Sequence, residues 1–280
     1  MKLGVIKNKG ASVITDKGYV LLDDIGFSLT IEEVIKSGKT ILTELEIKLR
    51  SFTDFISFDN EQLDAPLRNP GKIVAIGLNY VDHANESKMD IPKWPLIFSK
   101  FNSSITGPFD HIIIPSSVTN AVDYEVELAV VIGKQAKNVS REVALEYVFG
   151  YTIINDLSAR DIQFADGQWV RAKSLDTFCP MGPYIVTLDE ITNPQDLDLK
   201  CKVNDVVLQN ASTKGMIFGV ADLISILSQS FTLEPGDIIS TGTPSGVGFS
   251  RNPPKYLKDK DILVTEVQNI GQLINVLKVI

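Results

Sequence analysis

Two acids spaced two residues apart inside an apolar run are the first feature of this chain that could do chemistry: Asp123-Tyr124-Glu125-Val126-Glu127-Leu128-Ala129-Val130-Val131. Side chains alternate between the two faces of a strand, so Glu125 and Glu127 share one face with Ala129 and Val131. Tyr124, Val126, Leu128 and Val130 take the other. Both faces are apolar over much of this length, which predicts a strand buried on both sides. Adjacent carboxylates in such a place are costly unless something neutralises them. A hard divalent cation, Mg²⁺ or Mn²⁺, does so through oxygen ligands. The same pattern also suits a solvated face on an edge strand, and the residues alone leave that open.

A third oxygen ligand is available at Asp156, where the apolar run Tyr151–Asn155 ends in an acid. Ser158-Ala159-Arg160-Asp161 then reads as a capping-box-like start to a short helix, which puts Asp156 at a strand-to-helix turn. Asp161 reads as a capping or arginine-pairing group. His83 and Glu86 stand one helical turn apart and would share a face. A carboxylate beside an imidazole fixes its tautomer and raises its basicity, which makes a general base. His111 has no such partner and reads as structural. Lys173, among small and apolar residues, could bind a substrate carboxylate or an enolate oxygen. A turn carboxylate, a surface His/Glu pair and a surface lysine are the plainer alternatives. The segment Ser240–Gly248 has glycines for close backbone approach and hydroxyls for a carboxylate. It lacks both the P-loop ending and the dinucleotide-binding spacing, so nucleotide binding is not expected.

The elements that must position these residues fall into two parts. Residues 1–65 read as a small N-terminal unit, with strands at Leu3–Ile6, Ser12–Thr15 and Tyr19–Leu22. A helix is predicted over Thr30–Lys36, capped by Thr30 and ended at Gly38, with more helix in the first half of 40–58. Pro66 and Pro70 mark a boundary. From 70 to 280, short apolar runs recur between turn signals: Ile73–Gly77, Ile112–Ile114, Val126–Ile132, Tyr151–Asn155, Tyr184–Thr187, Leu199–Val203, Ile238–Thr241, Ile262–Val267 and Leu273–Val279. Helical patterns are fewer, at Ser140–Val148 with Ser140 as cap and at Val220–Gln229. The expected class is α+β with a dominant β core.

With 280 residues the chain can bury a core without a disulfide or metal to hold it. Its net charge of −8, with no basic stripe, argues against a nucleic-acid partner. Cys179 and Cys201 have neither zinc-finger nor redox-pair spacing, and a reducing compartment fits. Met1–Gly10 lacks a signal-peptide stretch, and no apolar run is long enough to span a membrane. A cytoplasmic location is therefore expected.

The order of these blocks over about residues 70–280 resembles the fumarylacetoacetate hydrolase family. The likeness rests on Gly77-Leu78-Asn79-Tyr80 through His83 and Glu86, Asp123 to Glu127, Asn155 to Asp161, Lys173 with Met181-Gly182-Pro183, Thr241 to Pro244, and Glu266 to Gly271. It implies a mixed β-roll core, a bound Mg²⁺ or Mn²⁺ and a homodimer. On matching positions, Glu125, Glu127 and Asp156 would ligate the metal, and Lys173 would contact substrate and stabilise an enolate. Arg160 and Gln163 would line the site, and Thr243 would hold a carboxylate. His83 and Glu86 would form a water-activating dyad on a lid ordered by substrate. Lys100 would reach the pocket, although Phe101 stands where many relatives carry proline. The N-terminal part matches poorly and looks like the small extension of compact bacterial relatives. The implied activity is hydrolytic carbon–carbon cleavage of an acylpyruvate or related β-diketo acid through a metal-stabilised enolate. The alternatives are decarboxylation of oxaloacetate or isomerisation of 2-hydroxyhepta-2,4-diene-1,7-dioate on the same site, and less readily a sugar-acid dehydratase. A non-catalytic metal-binding protein is the option from another class. The base pair and the lysine argue against it, because binding alone needs no general base.

Overall fold

In the computed structural model, which describes residues 1–280, the acid-bearing strand Val126–Ile132 lies in the interior of a mixed eleven-stranded sheet. It pairs with Val148–Asn155 on one side and Ile238–Ser240 on the other, and all seven of its residues are buried. The alternation is real and both faces are apolar. Val126, Leu128, Val130 and Ile132 enter a cluster of 40 buried residues shared with the second sheet and the Val220–Ser230 helix. Ala129 and Val131 point the other way, into a cluster of 22 that includes Val34, Ile35 and Leu45 of the Ile31–Arg50 helix. The edge-strand alternative is thereby excluded.

The second sheet has five strands in the order Val206–Ser212, Asp198–Val203, Ile262–Val267, Gly271–Val279 and Ile112–Ile114. The whole is a strand-rich α+β fold. The N-terminal strands continue the main sheet, because Leu3 pairs with Ile185 of Cys179–Thr187. Thr30 caps the helix that follows through a reciprocal capping box with Glu33. That helix is broken at Gly38, whose φ of 62° and ψ of −143° suit glycine alone.

Three local expectations differ from the structure. Ser140–Val148 is not an α-helix. Arg141–Tyr147 forms 3₁₀ turns that run straight into the Val148 strand, and Ser140 makes no side-chain cap. The strand expected from Tyr184 begins at Cys179. Pro180 and Pro183 hid its first half, since proline cannot donate to a ladder. Val206–Ser212 was unexpected. It returns from Asp198–Val203 through Asn204-Asp205, whose φ values of 50° and 65° make a two-residue hairpin turn.

Candidate active site

Glu125, Glu127 and Asp156 converge: each offers an oxygen within 4.8 Å of the others, and all three are buried. Asp156 is locked to the start of the acid strand, because its amide donates to Glu125 O at 2.9 Å. The Glu125 amide donates to Asn155 Oδ1 at 2.9 Å. Glu127 accepts from Ser240 Oγ at 2.6 Å and Gly242 N at 2.9 Å. The glycine-rich segment thus holds a carboxylate of the chain itself.

Two buried lysines meet this trio. Lys173 Nζ lies 2.8 Å from Glu125 Oε2 and 2.6 Å from Asp156 Oδ2. Lys100 Nζ lies 2.6 Å from Asp156 Oδ1 and also donates to the carbonyl of Lys173. The Phe101 amide donates to Ser174 Oγ at 3.1 Å, a bond that proline at this position could not make. Lys173 is therefore no surface lysine, and Lys100 reaches the cluster despite the departure at Phe101.

The charges are unevenly compensated. Burial works against ionisation of Glu125, but Lys173 and Arg160 outweigh it and hold the carboxyl down to about 2. Glu127 has no cationic partner. Burial, then the charges of Asp156 and Glu125, push it up to about 8. Lys173 is disfavoured by burial, yet Asp156 and Glu125 raise it above the ordinary lysine value. A convergent set of buried oxygen donors, one of them short of positive charge, fits a hard divalent cation.

Arg160 ties this centre to its surroundings. It donates to Asp123 Oδ2 at 2.8 Å, Glu125 Oε1 at 2.6 Å and Gln163 Oε1 at 2.8 Å, and its guanidinium carbon lies 4.5 Å from the centroid of the Phe249 ring. The capping-box reading of Ser158 fails: its hydroxyl donates to Asp156 O at 3.0 Å and Glu125 Oε1 at 3.3 Å, while the Arg160–Asp166 helix starts without a side-chain cap. Asp161 pairs with no arginine and instead accepts from Thr119 Oγ1 and the Asn120 amide. Asp123 was missed as a site residue. It accepts from Arg160, Gly248 N at 2.6 Å and Phe249 N at 3.1 Å. Its parity with Glu125 and Glu127 was the available signal.

His83 and Glu86 form the expected pair on the Val81–Glu86 helix, with Nδ1 and Oε1 2.8 Å apart. Glu86 also accepts from Gly246 N and Ser250 Oγ, each at 3.0 Å. Burial raises its carboxyl, but these bonds from His83, Gly246 and Ser250 prevail and keep it below the usual range. His83 is buried, not a surface group. With Glu125, Arg160, Gln163, Lys173 and Thr243 it lines one cavity of about 270 Å³, walled elsewhere by Leu78, Met89, Phe98, Phe164, Trp169 and Phe249. Three other hollows, of about 390, 650 and 370 Å³, are larger, but none is lined by a histidine or a buried acid. Thr243 reaches the cavity with its hydroxyl already committed: it donates to Val126 O at 3.0 Å and accepts from Gln209 Nε2 at 2.8 Å. Gln209, on the unexpected hairpin strand, was also missed.

Residues 72–278 match the family model described as the fumarylacetoacetate (FAA) hydrolase C-terminal domain. The chain belongs to the fumarylacetoacetate hydrolase family. Among its relatives in that family is the fumarylacetoacetate hydrolase domain-containing protein 2 homolog of Dictyostelium discoideum, 52% identical over 234 residues, 80% of this chain and 76% of that protein. The oxaloacetate tautomerase Fahd2a, mitochondrial, of Rattus norvegicus is 44% identical over 88% of this chain and 79% of that one. The fumarylacetoacetate hydrolase of Exiguobacterium antarcticum superposes with a TM-score of 0.87 at 38% identity over 100% of both chains. The maleylpyruvate hydrolase of Sphingobium sp. SYK-6, solved with manganese(II) and pyruvate, superposes with a TM-score of 0.84 at 28% identity, covering 100% of this chain and 99% of that one. The chain is an enzyme of the fumarylacetoacetate hydrolase family, and it has no helix long and apolar enough to cross a membrane.

Proposed function

We propose that this enzyme interconverts the keto and enol forms of a small 2-oxo acid, with oxaloacetate as the leading substrate and Glu125, Glu127 and Asp156 holding Mg²⁺ or Mn²⁺. The observation that carries this is the placement of a buried base, His83, and a buried ammonium, Lys173, on one cavity beside the acidic trio. When bound, the cation would supply Lewis acidity at the 2-oxo group, worth several kcal/mol of charge stabilisation. Lys173 puts its positive charge where an enolate oxygen develops. Glu86 engages His83 Nδ1, so Nε2 is the ring nitrogen left to take a proton from the carbon beside the oxo group. Phe98, Phe164, Trp169 and Phe249 give the cavity apolar walls around that carbon.

Hydrolysis would need more: a positioned water and a donor for the oxyanion formed at the distal carbonyl. Arg160 is occupied by Asp123, Glu125 and Gln163, so it is not a free cation for that oxyanion. The tautomerase relative supports the same choice. Acylpyruvate hydrolysis is the second reading. It is favoured by the His83/Glu86 dyad, which could equally activate water, and by the likeness to a maleylpyruvate hydrolase.

Purified protein with Mg²⁺ or Mn²⁺ decides between them. The expected result is accelerated decay of the enol absorbance of oxaloacetate with total oxaloacetate conserved and no pyruvate formed. Release of pyruvate from an acylpyruvate at a higher kcat/KM would favour the hydrolase. No acceleration of enol decay would overturn the tautomerase.

A further inference from the structure

We infer that Ser87, together with the side-chain amide of Gln163, reads a polar group at the far end of the substrate. The Ser87 hydroxyl is buried without a hydrogen-bond partner, and Ser87 lines the same cavity as His83, Gln163 and Lys173. It follows His83 by four residues, and its amide donates to His83 O at 3.0 Å, so one helical turn puts both side chains on one face. A serine so placed commonly turns its hydroxyl back to the carbonyl four residues earlier. Ser37 does this with Glu33 O at 2.8 Å, and Thr43 with Lys39 O at 3.1 Å. Ser87 does not, and a buried donor without a partner on a cavity wall is a donor available to a ligand.

Gln163 accepts from Arg160 through Oε1, which leaves its NH₂ without an acceptor in the chain. The charged groups nearby are committed: Arg160 to Asp123 and Glu125, Lys173 to Glu125 and Asp156, Lys100 to Asp156. What remains without a partner on this cavity is a pair of neutral donors, Ser87 Oγ and Gln163 Nε2. That pair suits one short acceptor, a carboxylate or a carbonyl. The inference rests on the proposed seating of the 2-oxo acid end at the acidic trio.

Calorimetric binding to the Mn²⁺-loaded enzyme tests it with two probes that do not turn over. Oxalate has no distal group. Difluorooxaloacetate carries a distal carboxylate and cannot enolise. Ser87→Ala is expected to raise the Kd of difluorooxaloacetate about tenfold or more, as loss of a bond to a charged group would, and to change that of oxalate less than about twofold. Ser87→Thr, which keeps the hydroxyl, should restore most of the difference. Equal weakening of both probes, no change in either, or no binding of either to the wild type would overturn the inference. If the wild type binds both probes with the expected Ser87 effect yet fails to tautomerise oxaloacetate, only the proposed function falls.

Discussion

Replacing Asp156 with asparagine is expected to cost about 3–5 kcal/mol of stability and to lower turnover by about 10²–10³-fold. Asp156 is fully buried and accepts from two ammonium groups, Lys100 and Lys173. The isosteric amide removes the negative charge and leaves both cations in the interior with too little compensation. Chemical denaturation reads the first effect and the tautomerisation assay the second. The double variant Lys100→Met/Asp156→Asn separates them, because removing both members of a buried pair is far less harmful than removing one. It should recover much of the stability and none of the activity. Recovery of activity as well would mean that Asp156 matters only as a counter-ion.

Replacing His83 with alanine is expected to slow turnover by about 10²–10⁴-fold, the usual contribution of a general base. Here stability should change little. Glu86 keeps its bonds to Gly246 and Ser250, so no buried carboxylate is orphaned. Mn²⁺ affinity should also hold, since His83 is not one of the convergent oxygen donors. That contrast with Asp156→Asn distinguishes the base from the metal centre. Turnover within about threefold of wild type would place the base elsewhere, because it falls well short of a general-base contribution.

The parts of the site that were legible in the sequence are those set by local periodicity. Glu125 and Glu127 share a face because strand side chains alternate, and His83 and Glu86 meet because a helical turn returns after about three to four residues. What neutralises them was not legible from spacing alone. Lys100 meets Asp156 across 56 positions, and Ser240 meets Glu127 across 113. Local rules also failed where a stronger partner competed. Ser158 looked like a helix cap, but its hydroxyl was drawn to Glu125 and the turn carbonyl of Asp156. In the fold, the β-rich pattern followed from the recurring apolar runs, and the capped helix that breaks at Gly38 from Thr30 and Gly38, although the helix resumes beyond the glycine to Arg50. Cys179–Pro183 was concealed by its prolines. The pocket's far wall is gathered from around Leu78, Met89, Phe98, Phe164, Trp169 and Phe249, segments that no short window contains. Substrate identity is correspondingly hard to read from the chain.

Anomalous diffraction from crystals grown with Mn²⁺ and oxalate tests the metal centre most directly. The expected map has one ion within bonding distance of oxygens from all of Glu125, Glu127 and Asp156, with oxalate completing its coordination on the His83 side. An ion bound elsewhere, or no ion while Lys173 still bridges Glu125 and Asp156, would contradict it.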